Sequence, residues 1–92
     1  MAKTPEGKVK KHLATRIAKL GGKLRYIKWI GRRGAPDILV LLPGRCEYVE
    51  TKAKGGVLSR HQANEIAELR RAGCCVSVLP SIEAINAHFP AP

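Results

Sequence analysis

Gly34-Ala35-Pro36-Asp37-Ile38-Leu39-Val40-Leu41-Leu42-Pro43-Gly44-Arg45-Cys46-Glu47-Tyr48-Val49-Glu50-Thr51-Lys52 holds two runs of strand-forming residues separated by a turn. The first, Ile38 to Leu42, is short, apolar and rich in leucine and β-branched residues, and it stops at Pro43-Gly44-Arg45. That pattern predicts a buried strand followed by a turn. The second run, Cys46 to Lys52, is then its antiparallel partner. Side chains alternate along a strand, so Glu50 and Lys52 share a face with Cys46 and Tyr48, while Glu47, Val49 and Thr51 take the other. Pairing across the turn brings the start of the first strand beside the end of the second. Asp37 is therefore expected close to Glu50 and Lys52, with two acids and a lysine at one end of a hairpin.

Such a group suits phosphodiester hydrolysis. Two carboxylates can hold a hard divalent cation through oxygen and leave positions for water and phosphate. The ion acidifies the water and shields the phosphate charge. A lysine in reach orients that water or stabilises the charge that builds on the transition state. A lone Glu-x-Lys more often marks an ordinary hairpin with a surface ion pair; the strand-initial Asp37 after Pro36 is what favours the chemical reading.

Outward from the hairpin, the chain alternates helix and strand signals. Thr4-Pro5 supplies a hydroxyl cap and a proline at the first helical position, and Gly21-Gly22 a stop, so the first helix is expected from about Pro5 to Leu20. Its apolar stripe is Val9, Leu13, Ile17 and Leu20. At 100° per residue Glu6 falls within about 20° of Leu13, inside that stripe. Glu6 thus has two readings, a first-turn acid favouring the helix N-terminus or a carboxylate aimed at the hairpin. Gly7 leaves room for a backbone to approach DNA. Leu24 to Ile30 reads as a strand, with Tyr26 and Trp29 as core, dimer or base-stacking residues. The loop Gly31-Arg32-Arg33-Gly34 then brings two arginines just before Asp37, for phosphate contact or as a solvated basic turn.

Beyond Lys52, Gly55-Gly56 reads as a hinge. Ser59-x-x-Gln62 is a capping box that opens a second helix, closed at Gly73. Gln62 shares the side of Ile66 and Leu69, the face turned to the sheet. It is a candidate for holding the attacking water or Lys52, although the cap alone also accounts for it. His61 points elsewhere, as a surface contact. Cys74 to Leu79 reads as a buried strand reached by a right-handed parallel crossover. Ser81 caps a last helix carrying Ile82, Ile85 and Phe89.

Composition sets the outer limits. Residues 1–33 carry eleven Lys or Arg against one acid, Glu6, within a chain of formal net charge +10. An anionic polymer is the expected partner, and nucleic acid fits better than a membrane because the N-terminal helix lacks a bulky aromatic face. The longest apolar run, Ile38 to Pro43, is far below membrane-spanning length, so a soluble, intracellular chain is expected. Ninety-two residues at 45% hydrophobic and 26% charged make one domain, 1–92, with a thin core. Three cysteines, two of them adjacent, give neither a disulfide framework nor a zinc spacing, and they read as buried thiols in a reducing compartment.

Pro36-Asp37 and Glu50-Thr51-Lys52, with twelve residues between Asp37 and Glu50, resemble the signature of the PD-(D/E)xK nuclease superfamily. Within it, Gly34-Ala35-Pro36-Asp37, the Val49-Glu50-Thr51-Lys52 strand and Leu58-Ser59-x-x-Gln62 resemble the small virus-type replication and repair nuclease domain, VRR-NUC, from Glu6 to about Leu79. The resemblance implies an α/β, restriction-endonuclease-like αβββαβ core, with a mixed central sheet flanked by helices and a C-terminal helix added. It implies a Mg²⁺- or Mn²⁺-dependent endodeoxyribonuclease in which Asp37, Glu50, the Thr51 carbonyl and Glu6 hold metal, and Lys52 and Gln62 assist. Arg32, Arg33, Lys8, Lys54, Arg60 and His61 are the expected nucleic-acid contacts. Branched DNA, a homodimer with Tyr26, Trp29, Ile85 and Phe89 as exposed interface candidates, and a phage or bacterial setting complete the expectation. The alternatives are a basic nucleic-acid-binding module without catalysis and an interaction domain whose acids merely pair with neighbouring bases.

Overall fold

The computed structural model describes residues 4–53 and 55–91. Its elements run α1 (Pro5–Lys19), β1 (Lys23–Tyr26), β2 (Ile38–Leu42), β3 (Arg45–Thr51), α2 (Arg60–Arg71), β4 (Val76–Leu79) and α3 (Ile82–His88). This is the expected αβββαβα order. The sheet is mixed, in strand order β1-β2-β3-β4, with the first two pairs antiparallel and β3 parallel to β4 through the α2 crossover. Gly44, at φ 71°, makes the turn that lets Leu42 face Arg45 and Ile38 face Val49.

Each helix starts where a side chain takes up an otherwise orphaned N–H. The Thr4 hydroxyl accepts from Gly7 N at 2.9 Å, Ser59 from Gln62 N at 3.1 Å and Ser81 from Ala84 N at 3.0 Å. Val9, Leu13 and Ile17 of α1 then meet Ile85 and Phe89 over Ile38, Val40, Val49 and Leu79 in one buried cluster. Two polar ties lock α1 to the C-terminal segment: Arg16 Nε donates to the Phe89 carbonyl at 2.8 Å, and His12 Nε2 lies 2.7 Å from Asn86 Oδ1. Ile66 and Val76 are buried outside this cluster, where α2 packs on β4.

Four expectations are corrected. The first strand ends at Tyr26, not Ile30. The ladder stops after the Ile27 N–H reaches the Asp37 carbonyl at 2.8 Å, and the chain between the two strands leaves the extended conformation at Gly31 and Gly34, at φ 76° and 82°. Trp29 instead folds back, donating Nε1 to the Pro36 carbonyl at 2.6 Å with its ring 5.7 Å from that of Tyr48. The last strand begins at Val76 rather than Cys74, because Cys74 N still bonds Leu69 O across the helix end. The thiols are not buried: Cys46 and Cys75 are exposed and Cys74 half-buried. Finally, Ile85 and Phe89 lie in the core at 0% and 1% exposure, so neither offers an interface.

Glu47, although buried, is held by Ser77 Oγ, which donates at 2.6 Å, and by His88 Nε2 at 2.9 Å. Arg45 Nη2 lies 2.6 Å from its other oxygen, a charge contact without hydrogen-bond alignment. Burial alone would raise the Glu47 pKa; the Ser77 hydrogen bond, then His88 and Arg45, outweigh it and hold the group below its ordinary 4.5. A depressed folded-state pKa stabilises the fold above the unfolded value, and that contribution is lost as pH falls through the folded one. The melting temperature of Glu47→Gln is therefore expected to lie below wild type at neutral pH, with the gap closing in acid. A constant gap from pH 7 to pH 3 would contradict this.

Candidate active site

Continuing the β2–β3 register by one residue sets Asp37 opposite Glu50 at the end of the sheet. Glu50 is 7% exposed, whereas the Asp37 side chain is 47% exposed. Burial first, then the charges of Asp37 and Glu6, push the Glu50 carboxyl up to about 7, against partial relief from Lys52 and Lys10. The Lys52 N–H donates to the Leu79 carbonyl at 3.1 Å, which fastens that lysine's backbone to the end of β4.

Gln62 does both of the things its sequence context allowed. Its Oε1 accepts from Ser59 N at 2.9 Å, completing the capping box, while Nε2 donates to Glu50 Oε2 at 3.3 Å. Its partner is thus Glu50 rather than Lys52. The first turn of α2 is brought this close by Gly34, at φ 82°, where an added Cβ would lie 2.5 Å from the His61 carbonyl carbon and 2.6 Å from Gln62 N. Gly34→Ala meets both a left-handed backbone penalty and a clash with main chain. It is expected to destabilise by about 2–4 kcal/mol. A loss under about 0.5 kcal/mol in denaturant unfolding would mean that the contact is not tight.

Sequence reading missed Lys10. Its Nζ lies 3.2 Å from Asp37 Oδ2 and 3.8 Å from Glu6 Oε2. Burial works to lower the Lys10 pKa, but Asp37, then Glu6 and Glu50, carry it above the ordinary lysine value. The i,i+4 spacing from Glu6 was the available signal. The contact with Asp37, 27 residues away, had none. Glu6 accordingly faces the hairpin, joined to Asp37 through Lys10.

The oxygen set fits a hard divalent cation. Besides the two opposed carboxylates, Thr51 lies opposite Pro36 in the continued register, so the ladder offers its carbonyl no donor. Among the described residues no three His, Cys, Asp or Glu side chains group closely enough to hold an ion by themselves. The fitting set is therefore two carboxylates with a main-chain oxygen, and the burial and the Asp37 charge that raise Glu50 are what a bound cation would offset.

Of the expected nucleic-acid contacts, Lys8, Arg33, Arg60 and His61 are exposed, and Lys54 lies outside the described residues. Arg32 is corrected. It forms a two-pronged pair with Glu65, Nε to Oε1 at 3.1 Å and Nη2 to Oε2 at 2.6 Å, and reaches Glu68 at 3.1 Å. Glu65 is buried, and Arg32 holds its carboxyl below the ordinary value. Arg32 thus clamps the loop before Asp37 onto α2 through Nε and Nη2.

A mixed sheet that ends in Asp37, Glu50 and Lys52, with a helix glutamine on Glu50, is the architecture of a PD-(D/E)xK nuclease. The VRR-NUC domain family matches residues 3–82, and this chain belongs to that family. It is 42% identical over 87 residues to "Putative nuclease p44" of Acyrthosiphon pisum secondary endosymbiont phage 1, covering 94% of this chain and 92% of that relative. It also superposes on a solved VRR_NUC domain with a TM-score of 0.84 at 37% identity, over 91% of this chain and 92% of that one.

Proposed function

We propose that this VRR-NUC protein is a Mg²⁺- or Mn²⁺-dependent endodeoxyribonuclease that acts on branched DNA as a homodimer. The observation that carries the reading is the opposition of Asp37 and Glu50 at the sheet end, with Gln62 on Glu50 and Lys52 immediately after the same strand. Asp37, Glu50 and the Thr51 carbonyl would hold the ion, with Glu6 in support. A bound ion would acidify a water and neutralise phosphate charge. Lys52 holds that water or the transferring phosphate's oxygen, and Gln62 fixes the Glu50 carboxylate in one orientation.

The basic N-terminal third supports a nucleic-acid substrate gripped through its phosphates, which favours recognition by shape and backbone. Exposed apolar residues support a second copy: Tyr26, at the end of β1, is 67% exposed, and Ile30, in the turn that follows, is 94% exposed. A two-fold pair presents two sites to the paired strands of a junction. Cutting of four-way, flap and linear DNA in Mg²⁺ and in EDTA, with light scattering at micromolar concentration, tests each part. Ion-dependent cutting of branched DNA by a dimer is expected. Ion-independent cutting, equal cutting of linear DNA, or a monomer would remove the corresponding part.

Salt dependence separates the two arginines. Arg33→Ala is expected to flatten the slope of log affinity against log salt by about one unit, as one lost phosphate contact does. Arg32→Ala is expected to leave that slope nearly unchanged and to lower the melting temperature, because it uncovers Glu65. Equal slopes in wild type and Arg33→Ala would assign Arg33 to solvent.

A further inference from the structure

Lys10 stands among the carboxylates to which the proposed function assigns the ion. Its ammonium takes Asp37 Oδ2 at 3.2 Å and lies 3.8 Å from Glu6 Oε2. Glu50 feels its charge as well. A divalent ion ligated by Asp37 draws on the same carboxylate, and two cations compete for it. We infer that Lys10 is the resident counter-cation of this cluster, holding Asp37 while no divalent ion is bound and yielding it when one enters, so that it sets the affinity of the site for the ion.

The local architecture suits a displaceable cation. The neighbouring Val9 and Leu13 are buried in the core, which fixes the backbone from which Lys10 extends, and Glu6 one turn earlier favours its lean toward the sheet end. Beyond that fixed point the side chain is a flexible four-carbon stem ending in a compact charge, unlike the forked, two-pronged hold of Arg32 on Glu65. Side-chain exposures of 33% for Lys10 and 47% for Asp37 mean that water screens the pair, which can therefore be given up. Without Lys10, Asp37 and Glu6 lose the ammonium between them, and Glu50 loses part of the charge that offsets its burial. The site would then attract a divalent ion more strongly but stand less stable without one.

The inference rests on the metal-dependent reading, and calorimetric titration with Mn²⁺ in the absence of DNA separates the two. Lys10→Met keeps the stem and removes the charge. It is expected to bind Mn²⁺ about three- to tenfold more tightly than wild type, the range that a screened ion pair allows, while Lys10→Arg stays near wild type or binds more weakly. In EDTA, Lys10→Met is expected to melt below wild type, and the difference should shrink when both are compared in an Asp37→Asn background. If wild type binds Mn²⁺ and Lys10→Met binds it equally or more weakly, Lys10 is not the counter-cation and the metal site stands. A melting difference that persists in Asp37→Asn overturns the inference in the same way. Absence of Mn²⁺ binding in every variant removes the metal reading and this inference together.

Discussion

Glu50→Gln is expected to slow DNA cleavage by about 10²–10³-fold in Mg²⁺ while leaving DNA affinity within a fewfold of wild type. The substitution keeps the volume and a hydrogen-bonding oxygen but removes the charge that would hold the ion. Gln62 Nε2, 3.3 Å from Glu50 Oε2, can still donate to the new amide oxygen, so the first turn of α2 keeps its place. Asp37→Asn and Lys52→Ala are expected to lose comparable activity for related reasons, and the three losses should not add, because they disable one unit. Binding is spared because the contacts expected from Lys8, Arg33, Arg60 and His61 lie on exposed side chains outside this group. A Glu50→Gln protein that binds DNA normally and cuts at the wild-type rate would make the hairpin acids structural.

In EDTA, the same Glu50→Gln protein is expected to be more stable than wild type at pH 8 and to lose that advantage by pH 5. Glu50 is pushed up to about 7 by burial and by Asp37, from an ordinary 4.5. Between those values the folded chain keeps a proton that the unfolded chain has released, so stability falls as pH rises through that window and the full penalty stands above it. With partial screening the penalty is about 1–2 kcal/mol, or several degrees in melting temperature for a chain of this size. Mg²⁺ should return stability to wild type at pH 8 by pairing with the ionised carboxylates, and it should do little for Glu50→Gln. Wild-type melting that is flat from pH 5 to 8 in EDTA and indifferent to millimolar Mg²⁺ would contradict a strained carboxylate pair.

The sequence revealed what depends on short-range rules. Strand alternation and one turn were enough to set Asp37 against Glu50, and capping residues at Thr4, Ser59 and Ser81 located every helix start. The parallel placement of β4 followed from the helix between it and β3. What stayed hidden depends on contacts between residues far apart in the chain. Arg32 read as a phosphate contact because its acidic partners, Glu65 and Glu68, lie 33 and 36 residues away. Lys10 was one basic residue among eleven until α1 was laid across the sheet end. The early end of β1 goes with the fold-back of Trp29 onto the Pro36 carbonyl, a contact that strand propensity alone does not signal. Ile85 and Phe89 read as exposed because a single amphipathic helix does not say that α1 already covers its apolar side.

Anomalous diffraction from crystals grown with Mn²⁺ locates the ion against Asp37 and Glu50. One strong peak is expected at the sheet end, within ligand distance of an Asp37 carboxylate oxygen, a Glu50 carboxylate oxygen and the Thr51 carbonyl, with Lys10 drawn away from Asp37. Crystals of a cleavage-competent protein that bind Mn²⁺ elsewhere, and leave Asp37 and Glu50 without an ion, would contradict a metal site there.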